Sequence, residues 1–191
     1  CGVGFKLMQA WTQNNKKDEA KLLEYLDLLA VSTCADIVPI TGENRVFVYY
    51  GLKRINENPR LGIKTMIELA ALKKELTTTD VVFTIAPRIN AGGRIESGNK
   101  AVEMLVEEDT TKVVAFGESI NVLNTDRKDL DRDITAEALE MIAQDEALQN
   151  KNTTVLFQQN WHKGVIGIVA SRLIETHYRP TIILTESNGK A

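Results

Sequence analysis

The chain has 191 residues, 43% of them hydrophobic and 26% charged, with a formal net charge of −3. That length allows one domain or two small ones, and no run approaches the roughly 20 consecutive apolar residues of a membrane-spanning helix. Bulk charge of this sign does not draw a protein to nucleic acid, so any such site must be a local patch.

The N-terminal CGVGFKLMQAW has one lysine, no long apolar stretch and no small-residue cleavage site after it, unlike a signal peptide. Because it opens on Cys1, the sequence is expected to come from a longer chain. Apolar Val3, Leu7, Met8 and Trp11 are near helical spacing over residues 2–12. After the polar NNKKDE, the series Ala20, Leu22, Leu23, Leu26, Leu29 and Ala30 predicts a helix that must stop by Pro39. Thr41–Asn44 reads as a turn, and Val46 to Ile55 as a further helix that ends near Pro59. A short helix is expected within 61–72, a loop and cap at 77–80, and either a strand or a helix start at 81–85. Pro87 to Gly98 reads as a loop with three glycines, followed by a helix over 99–106.

The clearest element covers residues 110–148. Phe116, Ile120, Leu123, Leu130, Ile134, Ala138 and Met141 recur mostly at three- and four-residue spacing, around the charged run TDRKDLDRD. A narrow apolar stripe on a charged helix fits either a connector between two bodies or an ordinary long amphipathic helix. At about 1.5 Å per residue it would reach roughly 50–60 Å. Beyond Asn152 the pattern becomes strand (153–157), helix (164–176) and strand (181–184). Such a βαβ unit calls for parallel strands and a right-handed crossover. The expected class is α/β, mostly helical before a βαβ unit.

Three segments are candidates for chemistry. Asp36 lies in the apolar stretch CADIVPI, where a carboxylate needs a reason. It could cap an element, pair with Arg45 or bind a metal, although one carboxylate is far from the roughly six ligands that Mg²⁺ or Mn²⁺ takes. In PRINAGGR, Arg88 and Arg94 flank Gly92-Gly93. Glycine backbone and arginine forks suit a phosphate, and solvated arginines beside a glycine turn are the plainer reading. In WHKGVIGIVASR, His162, Lys163 and Gly164 fall between strand and helix, where α/β sheets favour ligands and a helix N-terminus favours anions. Equally, Gly164 and Gly167 could allow tight packing, with His162 structural. Cys1 and Cys34 form no CxxC pair and no disulfide framework, which argues against a zinc ribbon and makes a reducing cytoplasm the expected location. No GxSxG elbow, HExxH, Walker A or EF-hand loop is present.

Four stretches in order, GVGFKL, LDLLAVSTCADIVPITGENRVFVYYGL, APRINAGGR and NWHKGVIGIVASRLIETHYRPTIIL, resemble the RecJ branch of the DHH phosphoesterase superfamily. That resemblance implies a metal-dependent exonuclease that degrades single-stranded DNA from the 5′ end in repair and recombination. It implies the C-terminal part of a DHH catalytic domain over 1–56 and a helical and loop segment with a phosphate-binding loop over 57–109. A connecting helix over 110–150 and the N-terminal part of a DHHA1-type domain over 151–191 complete it. By the same resemblance, Asp36 matches an aspartate that holds Mn²⁺ or Mg²⁺ in a two-metal site. Arg88, Asn90, Gly93 and Arg94 match the phosphate-gripping loop, and His162, Gly164 and Arg172 fall in the block facing the DNA channel. Single-stranded DNA, with a helicase or single-strand-binding protein, is the expected partner, and no membrane. The sequence has no Asp-His-His triplet, so the chain is expected to be inactive alone. The alternatives are an oligonucleotide or cyclic-dinucleotide hydrolase of the same superfamily, or a non-catalytic nucleic-acid-binding module.

Overall fold

The computed structural model describes residues 1–36 and 38–190; Ile37 of the CADIVPI stretch and Ala191 lie outside the described residues. The helices, in chain order, are α1 (Gly2–Asn14), α2 (Ala20–Leu23), α3 (Leu26–Ala35), α4 (Gly42–Glu57), α5 (Leu61–Leu69) and α6 (Thr78–Asp80). A π-helical turn, Val81–Ile85, follows, then α7 (Ala86–Ile95), α8 (Asn99–Val106), α9 (Thr110–Gln144) and α10 (Glu146–Gln149). The chain ends on β1 (Thr154–Phe157), α11 (Ile166–Thr176) and β2 (Thr181–Leu184). It divides into two compact units, Cys1–Gly93 with Ser97–Asn121, and Arg94–Glu96 with Val122–Ala191.

The first unit is all helical. Ile55 and Ile63 share a core with Met66, Val81, Ile85, Met104 and Ile120, so residues 57–109 pack into the same interior as residues 1–56. Burying such side chains stabilises by about 1.5–3 kcal/mol each. Gly51 of α4 faces the Leu26 carbonyl and the Ala30 methyl of α3, leaving no room for a side chain. Asp27 of α3 is 1% exposed. Its carboxylate is clamped by Arg60, from Nε at 2.7 Å and Nη2 at 2.9 Å, while Arg60 Nη1 donates to the Leu105 carbonyl at 3.2 Å.

Three local expectations change. The helix over 20–35 is broken at Glu24–Tyr25. The turn expected at 41–44 is largely the first turn of α4, entered through Gly42 at φ +52°. The loop expected over 87–98 is helix α7 as far as Ile95. A capping box at Thr77 and Asp80 starts this helical run. Pro87 would clash with the carbonyl four residues back in a regular helix, and the wider π turn just before it accommodates the ring.

The second unit holds the βαβ arrangement. β1 and β2 are parallel, with Thr154 opposite Thr181 and Phe157 opposite Leu184. Leu156, Trp161, Val165, Val169, Leu173 and Ile183 pack with Ile134, Ala138 and Ile142 of α9. Trp161 Nε1 donates to Glu137 at 2.8 Å, which meets the one polar need of a buried indole. Among the described residues the structure is therefore mostly helical with a two-stranded parallel sheet. No helix there is long and apolar enough to cross a membrane.

Candidate nucleic-acid interface

The candidate residues fall into separate groups. Asp36 is the exposed C-cap residue of α3, and no ion pair joins it to Arg45 among the described residues. Among those residues no three His, Cys, Asp or Glu side chains come together. Asp36 offers one carboxylate where a hard divalent ion takes about six ligands, so the residues present do not by themselves make a metal site.

Arg88 turns inward rather than into solvent. Its Nη1 donates to the Thr84 carbonyl at 2.7 Å and its Nε to Asn121 Oδ1 at 3.2 Å. Burial pushes its pKa down. Asn90, Gly93 and Arg94 are exposed on α7. Inside a helix, backbone N–H groups are largely committed to intrahelical bonds. This segment therefore has only side chains to offer a phosphate, not the glycine backbone cradle that a loop would have supplied.

The second unit brings Arg94, His162 and Gly164 together. Arg94 Nη1 donates to the Gly164 carbonyl at 3.2 Å, and the Gly164 N–H donates to His162 Nδ1 at 3.1 Å. A Cβ on Gly164 would run into the Arg94 carbonyl oxygen, so this glycine has a close-approach reason. Gly167 has none, since a Cβ there meets nothing within 4 Å. Of the two glycines weighed for tight packing, one qualifies, and its neighbour is the Arg94 backbone.

Arg172 projects from α11 to Asp131 of α9. Its Nε lies 2.9 and 3.1 Å from the two carboxylate oxygens and its Nη2 lies 2.8 Å from Oδ2. Asp131 is 2% exposed. Hydrogen bonding to Asp131, then its charge, raises the Arg172 pKa. Arg127 stands one helical turn before Asp131 and donates from Nη2 to the buried Asn124 at 3.1 Å. Burial lowers its pKa first; the Asp131 carboxylate opposes this, and the positive charges of Arg94 and Arg172 add to it.

Sequence reasoning missed Asn124, Arg127 and Asp131: it took the last two only as part of the densely charged run TDRKDLDRD and did not single out Asn124. A signal was available. Asn124, Arg127 and Asp131 follow Ile120 and precede Ile134 at three- and four-residue steps, on the buried stripe itself. Polar residues at stripe positions are the ones that need partners. The outcome is Arg172 paired with the buried Asp131, and Arg127 placed to feel that carboxylate and the positive charges of Arg94 and Arg172; fork-shaped guanidinium donors suit phosphate oxygens.

No family model matches the chain. It is 38% identical over 184 residues to the single-stranded-DNA-specific exonuclease RecJ of Bacillus subtilis, an alignment covering 96% of this chain and 22% of that protein. Its fold matches RecJ of Thermus thermophilus in complex with Mn²⁺ with a TM-score of 0.85 and 33% identity, over 96% of this chain and 27% of that one. For the same protein in complex with Mg²⁺ the TM-score is 0.84, over 96% of this chain and 28% of that one. The chain thus spans about a quarter of the length of these relatives. In sequence and in fold, along nearly its whole length, the chain is similar to one segment of the RecJ exonucleases.

Proposed function

We propose that this chain is a segment of a metal-dependent exonuclease that hydrolyses phosphodiester bonds of single-stranded DNA in the 5′ to 3′ direction during repair and recombination. In this reading residues 1–56 belong to a DHH catalytic domain, residues 57–109 carry a phosphate-gripping segment, residues 110–150 connect, and residues 151–191 open a DHHA1-type domain. The protein acts in the cytoplasm, beside a helicase or single-strand-binding protein. The observation that carries the reading is the local positive charge of Arg94, Arg127 and Arg172 in the second unit, within a fold matching RecJ. Such a cluster grips the sugar–phosphate backbone and takes no sequence information from the bases.

Asp36 enters as one ligand of an Mn²⁺ or Mg²⁺ site completed by residues this chain does not supply, so the chain alone is without nuclease activity. Mn²⁺ and Mg²⁺ are named for the Thermus relatives, which supports either ion. The block His162, Gly164 and Arg172 favours the RecJ reading over the cyclic-dinucleotide hydrolases. Arg88 keeps a supporting role, because both its hydrogen bonds stay within its own unit.

The test is a graft of this segment into the Bacillus subtilis relative in place of the matched residues. The expected result is Mn²⁺-dependent degradation of single-stranded DNA from the 5′ end. In that graft, Asp36→Ala should raise the Mn²⁺ concentration needed for activity while leaving the thermal midpoint unchanged. An unaltered metal requirement removes Asp36 from the site. Arg94→Ala should weaken single-strand binding and reduce the slope of log K against log salt by roughly 0.7, the value for one lost phosphate contact on a single strand. An unchanged slope counts against the backbone-gripping role. A graft that binds single strands but cuts nothing at any Mn²⁺ concentration leaves the non-catalytic binding module as the answer.

A further inference from the structure

The segment from Gln158 to Val165 joins β1 to α11 at the carboxyl end of the strand, the end at which parallel α/β sheets take ligands. Such connections are ordinarily among the more mobile parts of a domain. This one is tied down. Trp161 is its anchor, 3% exposed. Thr185, just past β2, donates from Oγ1 to the Trp161 carbonyl at 2.6 Å and to the Gln159 carbonyl at 3.3 Å. Gln159 Nε2 donates to Glu186 at 2.6 Å. A further tie comes from outside the sheet. Glu137 of α9 accepts from Gln158 Nε2 at 2.9 Å through one carboxylate oxygen, and from Trp161 Nε1 at 2.8 Å through the other.

The residue type at 137 matters. An ionised carboxylate only accepts, and has two oxygens for two donors; a glutamine would set its amino group against one of them. No ion pair of Glu137 is found among the described residues, so the two hydrogen bonds are what this charge serves. What they hold is the stretch that follows Trp161. The Gly164 N–H donates to His162 Nδ1, and the Gly164 carbonyl accepts from Arg94. Between them Lys163 is exposed, its Nζ 3.5 Å from Ser187 Oγ. A cation on a loose loop pays for ordering that loop when it binds, so a pre-fixed loop binds more tightly.

We propose that Glu137 is a positioning residue of the nucleic-acid interface: it touches no ligand, and it fixes the Gln158–Gly164 segment so that Lys163 meets the strand in one arrangement. This rests on the nucleic-acid reading above. It also fixes the sign of an effect. A carboxylate beside the binding site of a polyanion repels it, so removing that charge should by electrostatics alone tighten binding. Positioning demands the opposite.

Binding of labelled oligo(dT) to this chain is measured by fluorescence anisotropy across a salt series, for the unaltered chain, Glu137→Gln, Lys163→Ala, the two combined, and Arg94→Ala. Lys163→Ala is expected to weaken binding and to lower the salt slope by roughly 0.7, one phosphate contact on a single strand. Glu137→Gln is expected to weaken binding about threefold, through one lost hydrogen bond. In the Lys163→Ala background it should add less than that, because both act through one segment. Amide hydrogen exchange should quicken over residues 158–164 while α9 and α11 keep their protection. Tighter or unchanged binding in Glu137→Gln overturns the proposal, as does a full additional loss on top of Lys163→Ala. Weaker binding with exchange quickened throughout the second unit makes Glu137 a merely structural residue and overturns it too. If Lys163→Ala changes nothing while Arg94→Ala weakens binding, the positioning role fails and the nucleic-acid reading stands. If the unaltered chain binds no oligo(dT), both fail.

Discussion

Replacing Asp27 with alanine is expected to destabilise the first unit by about 3 kcal/mol, toward the lower end for a broken buried ion pair. The carboxylate is 1% exposed and both oxygens are taken by the Arg60 fork, at 2.7 and 2.9 Å. Oδ1 also accepts from the Leu28 N–H at 2.7 Å. Removing it strands a guanidinium whose side chain is only 20% exposed. The estimate stays at the lower end because that exposure lets water reach the fork, and because Nη1 keeps the Leu105 carbonyl. Asp27→Asn should cost less, since the amide oxygen still accepts one bond. Chemical denaturation followed by intrinsic fluorescence and by circular dichroism is the measurement. Two units need not unfold together, so the transition belonging to the first unit is the one to compare. A loss below about 1 kcal/mol in Asp27→Ala would mean the pair is no better than a surface bridge.

Gly164→Ala is expected to cost about 3 kcal/mol in the second unit, the upper part of the usual range for overpacking. The new methyl would meet the Arg94 carbonyl oxygen, a backbone atom that cannot swing aside, and would sit 3.1 Å from His162 Cε1. Relief requires parting the Arg94 and His162–Gly164 segments, which breaks the 3.2 Å bond from Arg94 Nη1 to the Gly164 carbonyl. The variant should therefore also reproduce the weakened single-strand binding of Arg94→Ala. Gly167→Ala is the matched control. It lies in α11 with open space around a Cβ, so it should be neutral or stabilise by up to about 1 kcal/mol through helix propensity. Equal effects at the two glycines would remove the close-approach argument.

Much of the architecture was legible because it is periodic. Helix α8 falls on residues 99–106 as the spacing predicts, and β1, α11 and β2 lie within a residue or two of expectation. Each of these is set by a short run whose apolar face and flanking breakers agree. Helix α7 was not legible. Pro87 and Gly92-Gly93 are local breakers, but the Thr77–Asp80 capping box and the burial of Ile85, Ala86 and Ala91 outweigh them. The consequence is functional, because a segment expected to offer backbone N–H groups offers side chains instead.

By itself the sequence determined many of the helices, the parallel βαβ unit, the likeness to RecJ exonucleases and the segments of Arg88, Arg94 and Arg172 as the places to look. Only the tertiary structure decided which of those arginines face an acceptor already, and only it brought in Arg127. Arg88 is tied to Thr84 and Asn121, Arg172 is spent on Asp131, which lies 41 residues away in sequence, and Arg127 keeps an unused Nε. The physical reason is one of range. Helical periodicity reports which face of an element is buried, whereas pairing of a guanidinium is settled within about 3 Å by a partner the chain brings from elsewhere.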